Sequence, residues 1–263
     1  MRERFPLFTA ISIQTNSHCN LRCKFCFYGQ YDNYGNDEII EIGVIKKIFK
    51  ELSELNYKGR VSLYNLNEPL TDSRIVDLLA LAKSMLPDSF HFFSTNGVLL
   101  NQKCLDTILK YVDVVRINCY SKIPALDFKS PKVDFRDKRN FFEHANSNRG
   151  GNLIGLPAVG KPGAQTCANP FGQLVIMPPG KTVLCCADGF KENQLGDVRH
   201  KSLEQIWYGP KFKAIRASLA WGKRSNIPLC RNCSVDGGGF YEYFLNPVRF
   251  HQIIARFKEG SLQ

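Results

Sequence analysis

Three closely spaced cysteines near the amino end constrain this chain most. Cys19, Cys23 and Cys26 form a C-x3-C-x2-C triplet directly after an apolar run at residues 8–15. Three thiolates this close together can hold three irons of a [4Fe–4S] cluster and leave the fourth iron open to a small chelating molecule. Ferredoxin ligand runs use other spacings and supply a fourth cysteine. A partial zinc site is the alternative, but zinc favours paired C-x2-C elements and four ligands.

The composition is typical of a soluble globular protein that binds metal. The 263 residues suffice for one sizeable core plus a small appendage, and 44% are hydrophobic and 22% charged. The first ten residues lack the apolar region of a signal peptide, and no apolar run approaches a membrane span. We therefore expect a cytoplasmic protein, in which ten cysteines indicate metal ligation rather than disulfides.

The formal net charge of +11 bears on the partners. Such a surplus favours an anionic or polar small-molecule substrate, or an acidic redox partner, although it could serve solubility alone. The chain has no nucleic-acid recognition motif, and its basic residues form no uninterrupted run. We therefore expect neither nucleic acid nor a membrane as a partner.

Strand and helix patterns alternate from residue 8 to about residue 120, as in a parallel α/β unit. The patterns predict strands over 8–15, 59–66, 90–97 and 112–120. They predict helices near 37–56, after the capping residues 71–73, and around Leu105. Each strand ends in polar or small residues, and the carboxyl ends of parallel strands share one rim where chemistry is placed. For residues 122–142 we expect a solvated loop and helix, and for 150–159 a short last strand.

The last hundred residues carry different signals. Residues 155–165 are rich in Gly and Pro and are typical of a linker. Residues 174–177 and 182–185 are predicted to form a β-hairpin across a Pro-Pro-Gly turn. Ser202 is the predicted cap of the next helix. A C-terminal amphipathic helix near 248–257 is expected to pack on the barrel.

The cysteine triplet resembles the signature of the radical S-adenosylmethionine (radical SAM) superfamily. In that family the open iron binds the amino and carboxylate groups of SAM and cleaves it reductively to a 5′-deoxyadenosyl radical. The resemblance implies an α/β fold, a shortened, partial parallel β/α barrel over residues 1–160. It also implies a small C-terminal domain of β-hairpin plus helix over 161–240, and a C-terminal helix over 241–263.

A second cysteine set resembles the SPASM/twitch extensions of radical SAM enzymes. Its arrangement is C-x17-C-x44-C-x2-C, and no cysteine follows its last member, so the smaller twitch form fits better. The resemblance implies that four thiolates hold one auxiliary [4Fe–4S] cluster, which makes two clusters and SAM the expected cofactors. A structural zinc site is the alternative. Cys186 could replace its neighbour as a ligand. The set consists of Cys167, Cys185, Cys230 and Cys233.

The same resemblance implies roles for residues near the rim. The residue between the last two cysteines of the triplet contacts the adenine of SAM, an Asn-Glu-Pro motif receives its amino group, and polar residues at the third and fourth strand ends contact its ribose or carboxylate. These residues are Phe25, Asn67, Glu68, Ser94, Thr95, Asn96 and Asn118. Arg149 is expected beside the substrate, where it would stabilise negative charge on oxygen. The alternatives are a surface carboxylate for Glu68, a simple turn at 95–97 and a surface arginine.

The resemblance extends to dehydrogenases of antibiotic biosynthesis within the family. It implies oxidation of a secondary alcohol on a sugar, aminocyclitol or nucleotide-linked substrate, with the auxiliary cluster taking the second electron. A flavodoxin or ferredoxin would be the reductant. A radical epimerase that uses Cys119 or Cys186 as hydrogen donor is a second hypothesis, and a peptide-modifying maturase is a third. A zinc-stabilised binding module is the non-enzyme alternative.

Overall fold

A computed structural model describes residues 3–139, 147–156, 166–233, 235 and 247–262. The chain divides into two compact units. The barrel unit comprises residues 11–144 and 176–180, and the auxiliary unit comprises residues 1–10, 145–175 and 181–263. The units are therefore interleaved along the chain. The domain boundaries near residues 160 and 240 remain predictions.

The barrel unit alternates strands and helices. In chain order it contains β1 (Ala10–Ile13), α1 (Phe27–Gln30), α2 (Ile42–Glu54), β2 (Arg60–Ser62), α3 (Ile75–Met85), β3 (Phe90–Thr95), α4 (Gln102–Ile108), β4 (Val114–Cys119) and β5 (Val133–Asp137). The strand order is β5-β4-β3-β2-β1, and the pairs β2–β3, β3–β4 and β4–β5 are parallel. This sheet is open, which confirms the predicted α/β partial barrel.

The apolar periodicity of the sequence explains the core of this unit. Helix α2 buries Ile45, Ile48, Phe49 and Leu52 on one face. Helix α3 likewise buries residues at helical spacing, and all four residues of β1 are buried. The polar residues at the strand ends are not part of this core and lead into the loops that follow the strands.

Strand β5 is absent from the sequence prediction, which placed a loop and helix at 122–142. The structure pairs Val133–Asp137 with β4 in parallel register. It is the outermost strand of the sheet, and its side chains are exposed or half-buried. Val133 and Phe135 give only one short apolar alternation, which is too brief to distinguish a strand from a loop. Arg116 on β4 also pairs with Asp134 at 2.7 Å. Residues 140–142 lie outside the described residues.

The predicted short strand at 150–159 is also wrong where the structure describes it. Residues Arg149–Gly151 form a 3-10 helix. Arg149, Gly150 and Gly151 have φ values of 48°, 73° and 87°. Three successive residues in the left-handed region cannot continue a strand. Residues 157–165, which include most of the predicted linker, lie outside the described residues.

The auxiliary unit combines a small sheet with short helices. It contains α5 (Asn169–Gly172), the first part of β6 (Gln173–Met177), β7 (Lys181–Val183), β8 (Gln194–Asp197), α6 (Leu203–Trp207), α7 (Pro210–Ala220), α8 (Pro228–Arg231) and α9 (Pro247–Lys258). The strands follow the order β6-β7-β8, and β7 and β8 are antiparallel. The predicted strands on either side of the Pro-Pro-Gly turn are present, and β8 was not foreseen.

Local sequence signals set the helices of this unit. Ser202 caps α6 in a capping box with Gln205, as predicted. Helix α9 lies where the C-terminal helix was predicted, and its Phe250 packs edge-on against Phe171 of the same unit at 5.5 Å. Among the described residues, no helix has both the length and the apolarity needed to cross a membrane.

Candidate active site and auxiliary metal site

The cysteine triplet lies between β1 and α1. We use the name Cys loop for residues 16–29, which include the first three residues of α1. The Cys26 amide donates to the Cys23 carbonyl oxygen at 3.0 Å, and the Gly29 amide donates to the Cys26 carbonyl oxygen at 3.0 Å. The three thiols are close enough to interact electrostatically. Burial raises the pKa of Cys19 to about 11 and that of Cys23 to about 12, and the neighbouring thiols add to both shifts. A metal cluster would reverse these shifts, because it binds thiolates.

Gly29 makes the tight fold of the Cys loop possible. A Cβ atom at this position would lie 2.1 Å from the carbonyl oxygen of Cys23. Backbone atoms cannot move aside as a flexible side chain can, so only glycine fits here. The sequence analysis missed this residue, although a glycine three positions after the last cysteine of the triplet was a visible signal.

The Glu68 carboxylate joins the end of β3 to the loop after β2. One oxygen accepts from the Thr95 hydroxyl at 2.6 Å and from the Leu70 amide at 3.1 Å, and the other accepts from the Asn96 amide at 2.7 Å. The Glu68 amide in turn donates to the carbonyl oxygen of His18, next to Cys19, at 2.9 Å. Burial raises the pKa of Glu68, against the opposing effect of these three donors. Glu68 is 2% exposed, so it is not a surface carboxylate.

Side-chain amides add two further links to the Cys loop. Asn67 donates to the side-chain oxygen of Asn16 at 2.9 Å. Asn96 donates to the side-chain oxygen of Asn20, between the first two cysteines, at 2.8 Å. The sequence analysis did not single out Asn16 or Asn20. Their only signal was their position on either side of Cys19.

The remaining candidate cofactor-binding residues of this unit form two pairs. Asn118 at the end of β4 donates to the Ser94 hydroxyl at 3.0 Å. The ring of Phe25 packs against Tyr120 with centroids 5.0 Å apart. The structure thus joins Asn67, Glu68, Thr95 and Asn96 to the Cys loop in one hydrogen-bonded network. Ser94 on β3 and Asn118 on β4 form a separate hydrogen-bonded pair beside this network.

The second cysteine set gathers within the auxiliary unit. Cys185 interacts electrostatically with Cys186, Cys167 and Cys230, and Cys233 interacts with Cys167 and Cys230. Burial raises the pKa of Cys167 to about 11 and that of Cys230 to about 12, and raises that of Cys185 well above its usual value. Both Cys185 and Cys186 therefore lie in this group of thiols.

The segment 147–151 is held against the C-x2-C turn of the same unit. Asn148 donates to the carbonyl oxygen of Asn232 at 2.7 Å. A Cβ atom on Gly150 would lie 2.3 Å from a methyl carbon of Leu229. The Arg149 guanidinium donates to the carbonyl oxygen of Cys186 at 3.3 Å. Arg149 thus lies beside the auxiliary cysteines, and it is half-buried.

The donor chemistry of the two cysteine sets fits iron–sulfur clusters. A [4Fe–4S] cube binds each thiolate through a different iron. A zinc ion instead needs four ligands at about 2.0–2.3 Å from one point. Within the described residues, no three His, Cys, Asp or Glu side chains form a ready-made site for one metal ion.

Comparison with known proteins agrees with this geometry. The model of the Radical SAM superfamily matches residues 13–143, which include the Cys loop and the ends of β2, β3 and β4. The chain belongs to the radical SAM superfamily. A second model, SPASM, described as an iron-sulfur cluster-binding domain, matches residues 167–234 and includes all four cysteines of the second set. Two iron–sulfur clusters and SAM are therefore the cofactors of this chain, as expected.

Similar proteins are known along nearly the whole length. The S-adenosyl-L-methionine-dependent 2-deoxy-scyllo-inosamine dehydrogenase of Niallia circulans is 26% identical over 250 residues, covering 91% of this chain and 99% of the relative. The crystal structure of BtrN in complex with AdoMet and 2-DOIA has a TM-score of 0.78 at 24% identity, covering 92% of this chain and all of that one. The crystal structure of BtrN in an open conformation has a TM-score of 0.69 at 22% identity, covering 87% of this chain and 92% of that one. The structural matches confirm the fold. The family model and the dehydrogenase relative support the expected class, a radical SAM oxidoreductase.

Substituting Gly29 tests the Cys loop. In Gly29→Ala the added methyl overlaps the Cys23 carbonyl, so the loop cannot close around its cluster. We expect iron to fall from about eight to about four per chain and SAM cleavage to be lost. Iron analysis and 5′-deoxyadenosine formation measure this. Gly43→Ala is the control, because a Cβ atom there has no neighbour within 4 Å. Full iron in Gly29→Ala would contradict the prediction.

Substituting Glu68 tests the carboxylate bridge. In Glu68→Gln one oxygen becomes an NH₂ group, so at least one of the three donors loses its acceptor in a buried site. We expect a loss of about 1–3 kcal/mol in the free energy of unfolding and weaker SAM binding. Urea denaturation and SAM titration would measure these changes. Asp77→Asn, at an exposed carboxylate in the first turn of α3, should change neither quantity.

Proposed function

We propose that this chain is a dehydrogenase that oxidises a secondary alcohol of an aminocyclitol or related sugar-like substrate. The observation that carries the proposal is the presence of two different cysteine sets in one chain. The Cys loop offers three ligands, and the auxiliary set offers four within residues 167–233. A relative that spans nearly the whole chain is named a 2-deoxy-scyllo-inosamine dehydrogenase, and this supports the substrate class.

The two sets suit the two electrons that an alcohol loses. When bound and cleaved with one electron, SAM supplies methionine and a 5′-deoxyadenosyl radical. Transfer of a hydrogen atom from the carbinol carbon to this radical gives 5′-deoxyadenosine and leaves the substrate oxidised by one electron. Release of the hydroxyl proton and one further electron gives the ketone. A site in which four cysteines ligate every iron has no place for substrate, so we assign it the role of electron acceptor.

In the barrel unit, we assign Cys19, Cys23 and Cys26 as the ligands of the first cluster. The Glu68 carboxylate is occupied by three donors from the protein, so its proposed role is to hold the Cys loop. The backbone of Asn67 and Glu68 remains the proposed contact for the SAM amino group. Contacts with adenine, and with ribose or carboxylate, are assigned to a second group of side chains near the strand ends: Phe25, Ser94, Thr95, Asn96 and Asn118.

In the auxiliary unit, we assign Cys167, Cys185, Cys230 and Cys233 as cluster ligands. We propose that Arg149 stabilises negative charge on the substrate oxygen as its proton leaves. A guanidinium does not release its own proton, so it serves as a charge and not as a base. Its position beside the auxiliary cysteines supports the assignment.

The proposed partners follow from charge and chemistry. One-electron cleavage of SAM requires a low-potential donor, and we propose a flavodoxin or ferredoxin in the cytoplasm. The net charge of +11 favours docking of an acidic protein of this kind. No partner role for nucleic acid or membranes is proposed.

Isotope transfer tests the function directly. Anaerobic enzyme is incubated with SAM, reductant and 2-deoxy-scyllo-inosamine deuterated at one carbinol carbon at a time. The substrate labelled at the carbon that is oxidised should yield deuterated 5′-deoxyadenosine and one ketone per SAM consumed. Mass spectrometry measures both products, and an alcohol deuterated at a neighbouring carbon is the control. Deuterium in 5′-deoxyadenosine without ketone would reject the dehydrogenase and favour epimerisation.

Cys119 separates oxidation from epimerisation. Its thiol donates to the carbonyl oxygen of Ser121 at 3.0 Å, and the residue is buried, so its environment is that of a core residue. We expect Cys119→Ala to form ketone at the wild-type rate, because a dehydrogenase needs no hydrogen donor. Cys104→Ala on α4 is the matched control. Loss of turnover in Cys119→Ala alone, with normal iron content, would favour the epimerase.

A further inference from the structure

A buried arginine lies beside the auxiliary cysteines and has no role in the proposed function so far. Arg224 is 3% exposed. Its guanidinium donates to the carbonyl oxygen of Cys233 at 3.4 Å and to that of Val235 at 2.9 Å. The first contact fixes the side chain against the C-x2-C turn that carries Cys230 and Cys233.

The charge of Arg224 acts on the thiols themselves. It interacts electrostatically with Cys167 and with Cys230, and in both cases it favours the thiolate. These two cysteines are 63 positions apart in the chain, so the guanidinium faces the site that they share and not one isolated side chain. Water screens charges poorly in a buried site, so this interaction is weakened less than it would be at the surface.

The positive charge of Arg224 has no direct counter-ion within the part of the chain that the structure describes, although the buried carboxylate of Asp188 also interacts with Cys230. Arg224 forms no ion pair there with a carboxylate, and both of its assigned hydrogen bonds go to carbonyl oxygens. Its Nε atom is buried without a hydrogen-bond partner among the same residues. Burial of a cation in this way costs free energy unless negative charge lies nearby. Four thiolates and a cluster supply that charge.

We infer that Arg224 is a positioning residue that raises the reduction potential of the auxiliary cluster. Reduction adds one negative charge to the cluster, and a fixed cation beside it stabilises the reduced form more than the oxidised form. Net charge, hydrogen bonding and exposure are the features that set such potentials. Arg224 supplies the charge without contact with solvent.

The inference deepens the proposed function and rests on it for its purpose. A substrate that has lost one hydrogen atom must release its second electron to the auxiliary site. A higher potential at that site favours this transfer over return of the hydrogen atom. Arg224 would therefore couple consumption of SAM to formation of ketone.

The test measures the potential of the auxiliary cluster alone. In the full chain with Cys19, Cys23 and Cys26 replaced by Ala, the auxiliary cluster is the one that remains. A redox titration followed by electron paramagnetic resonance gives its midpoint. We expect Arg224→Gln to shift the midpoint to a more negative value and Arg224→Lys, which keeps the charge, to leave it near wild type.

Arg231→Gln is the matched control. This substitution removes the same formal charge, at a residue adjacent to Cys230. Arg231 is exposed, however, and donates to the carbonyl oxygen of Ser225. Water and salt screen such a charge, so we expect little shift. An unchanged midpoint in Arg224→Gln with full iron would overturn the inference, and so would equal shifts in both Gln variants.

The Lys variant decides the question if Arg224→Gln fails to retain iron. It loses the two-pronged hydrogen bonding of arginine but keeps the charge. A midpoint near wild type supports the inference. If the midpoint of Arg224→Lys shifts as far as removal of the charge should shift it, hydrogen bonds and not charge set the potential. That result would overturn the inference.

A second readout in the holoenzyme separates the two proposals. If both hold, Arg224→Gln makes less ketone per 5′-deoxyadenosine than wild type. If the midpoint shifts in Arg224→Gln but wild type makes no ketone, the dehydrogenase proposal fails and the inference about the potential stands. If wild type makes ketone and the midpoint does not move, the inference alone fails.

Discussion

The Glu68 carboxylate is the interaction on which the barrel unit's candidate site depends, because it is a charged group held in the interior by donors from two loops. Thr95, Asn96 and Leu70 each donate to it, and the Glu68 amide reaches the residue before Cys19. A buried carboxylate is costly unless its acceptor sites are filled. The three donors offset that cost, and in doing so they fix the end of β3 and the Cys loop relative to each other.

The same principle operates with opposite sign in the auxiliary unit. There a buried guanidinium faces a group of thiols, and its hydrogen bonds end on the backbone of the turn that carries two of them. Arg216, also in this unit, is a buried cation that does not face the thiols. It is 1% exposed, lies 3.8 Å from the Trp207 ring centre and donates to carbonyl oxygens of Pro170 and Trp207. No cysteine interacts with it among those whose pKa shifts are resolved, which makes Arg224 distinct.

The two cysteine sets and most helices and strands could be predicted from the sequence, because local residue spacing determines them. The spacing of Cys19, Cys23 and Cys26 indicated an open cluster, and apolar periodicity placed α2 and α3. Strand β5 was missed because an exposed edge strand with only Val133 and Phe135 as apolar residues gives too short an alternation to detect. Asn20 and Gly29 escaped for another reason: their importance lies in contacts with Asn96 and with the Cys23 carbonyl, which only the folded chain brings together.

The interleaving of the two units has a consequence for biosynthesis. Apart from the short segment 176–180, the barrel unit is synthesised before the last residues of the auxiliary unit. The auxiliary unit joins segments far apart in the chain: Glu3 pairs with Arg256, and Phe5 packs against Phe257 with ring centres 6.3 Å apart. Such distant contacts form late, because residues 247–262 must be synthesised first. The three thiols of the Cys loop are thus synthesised, with the rest of their unit, before Cys230 and Cys233 of the auxiliary set exist.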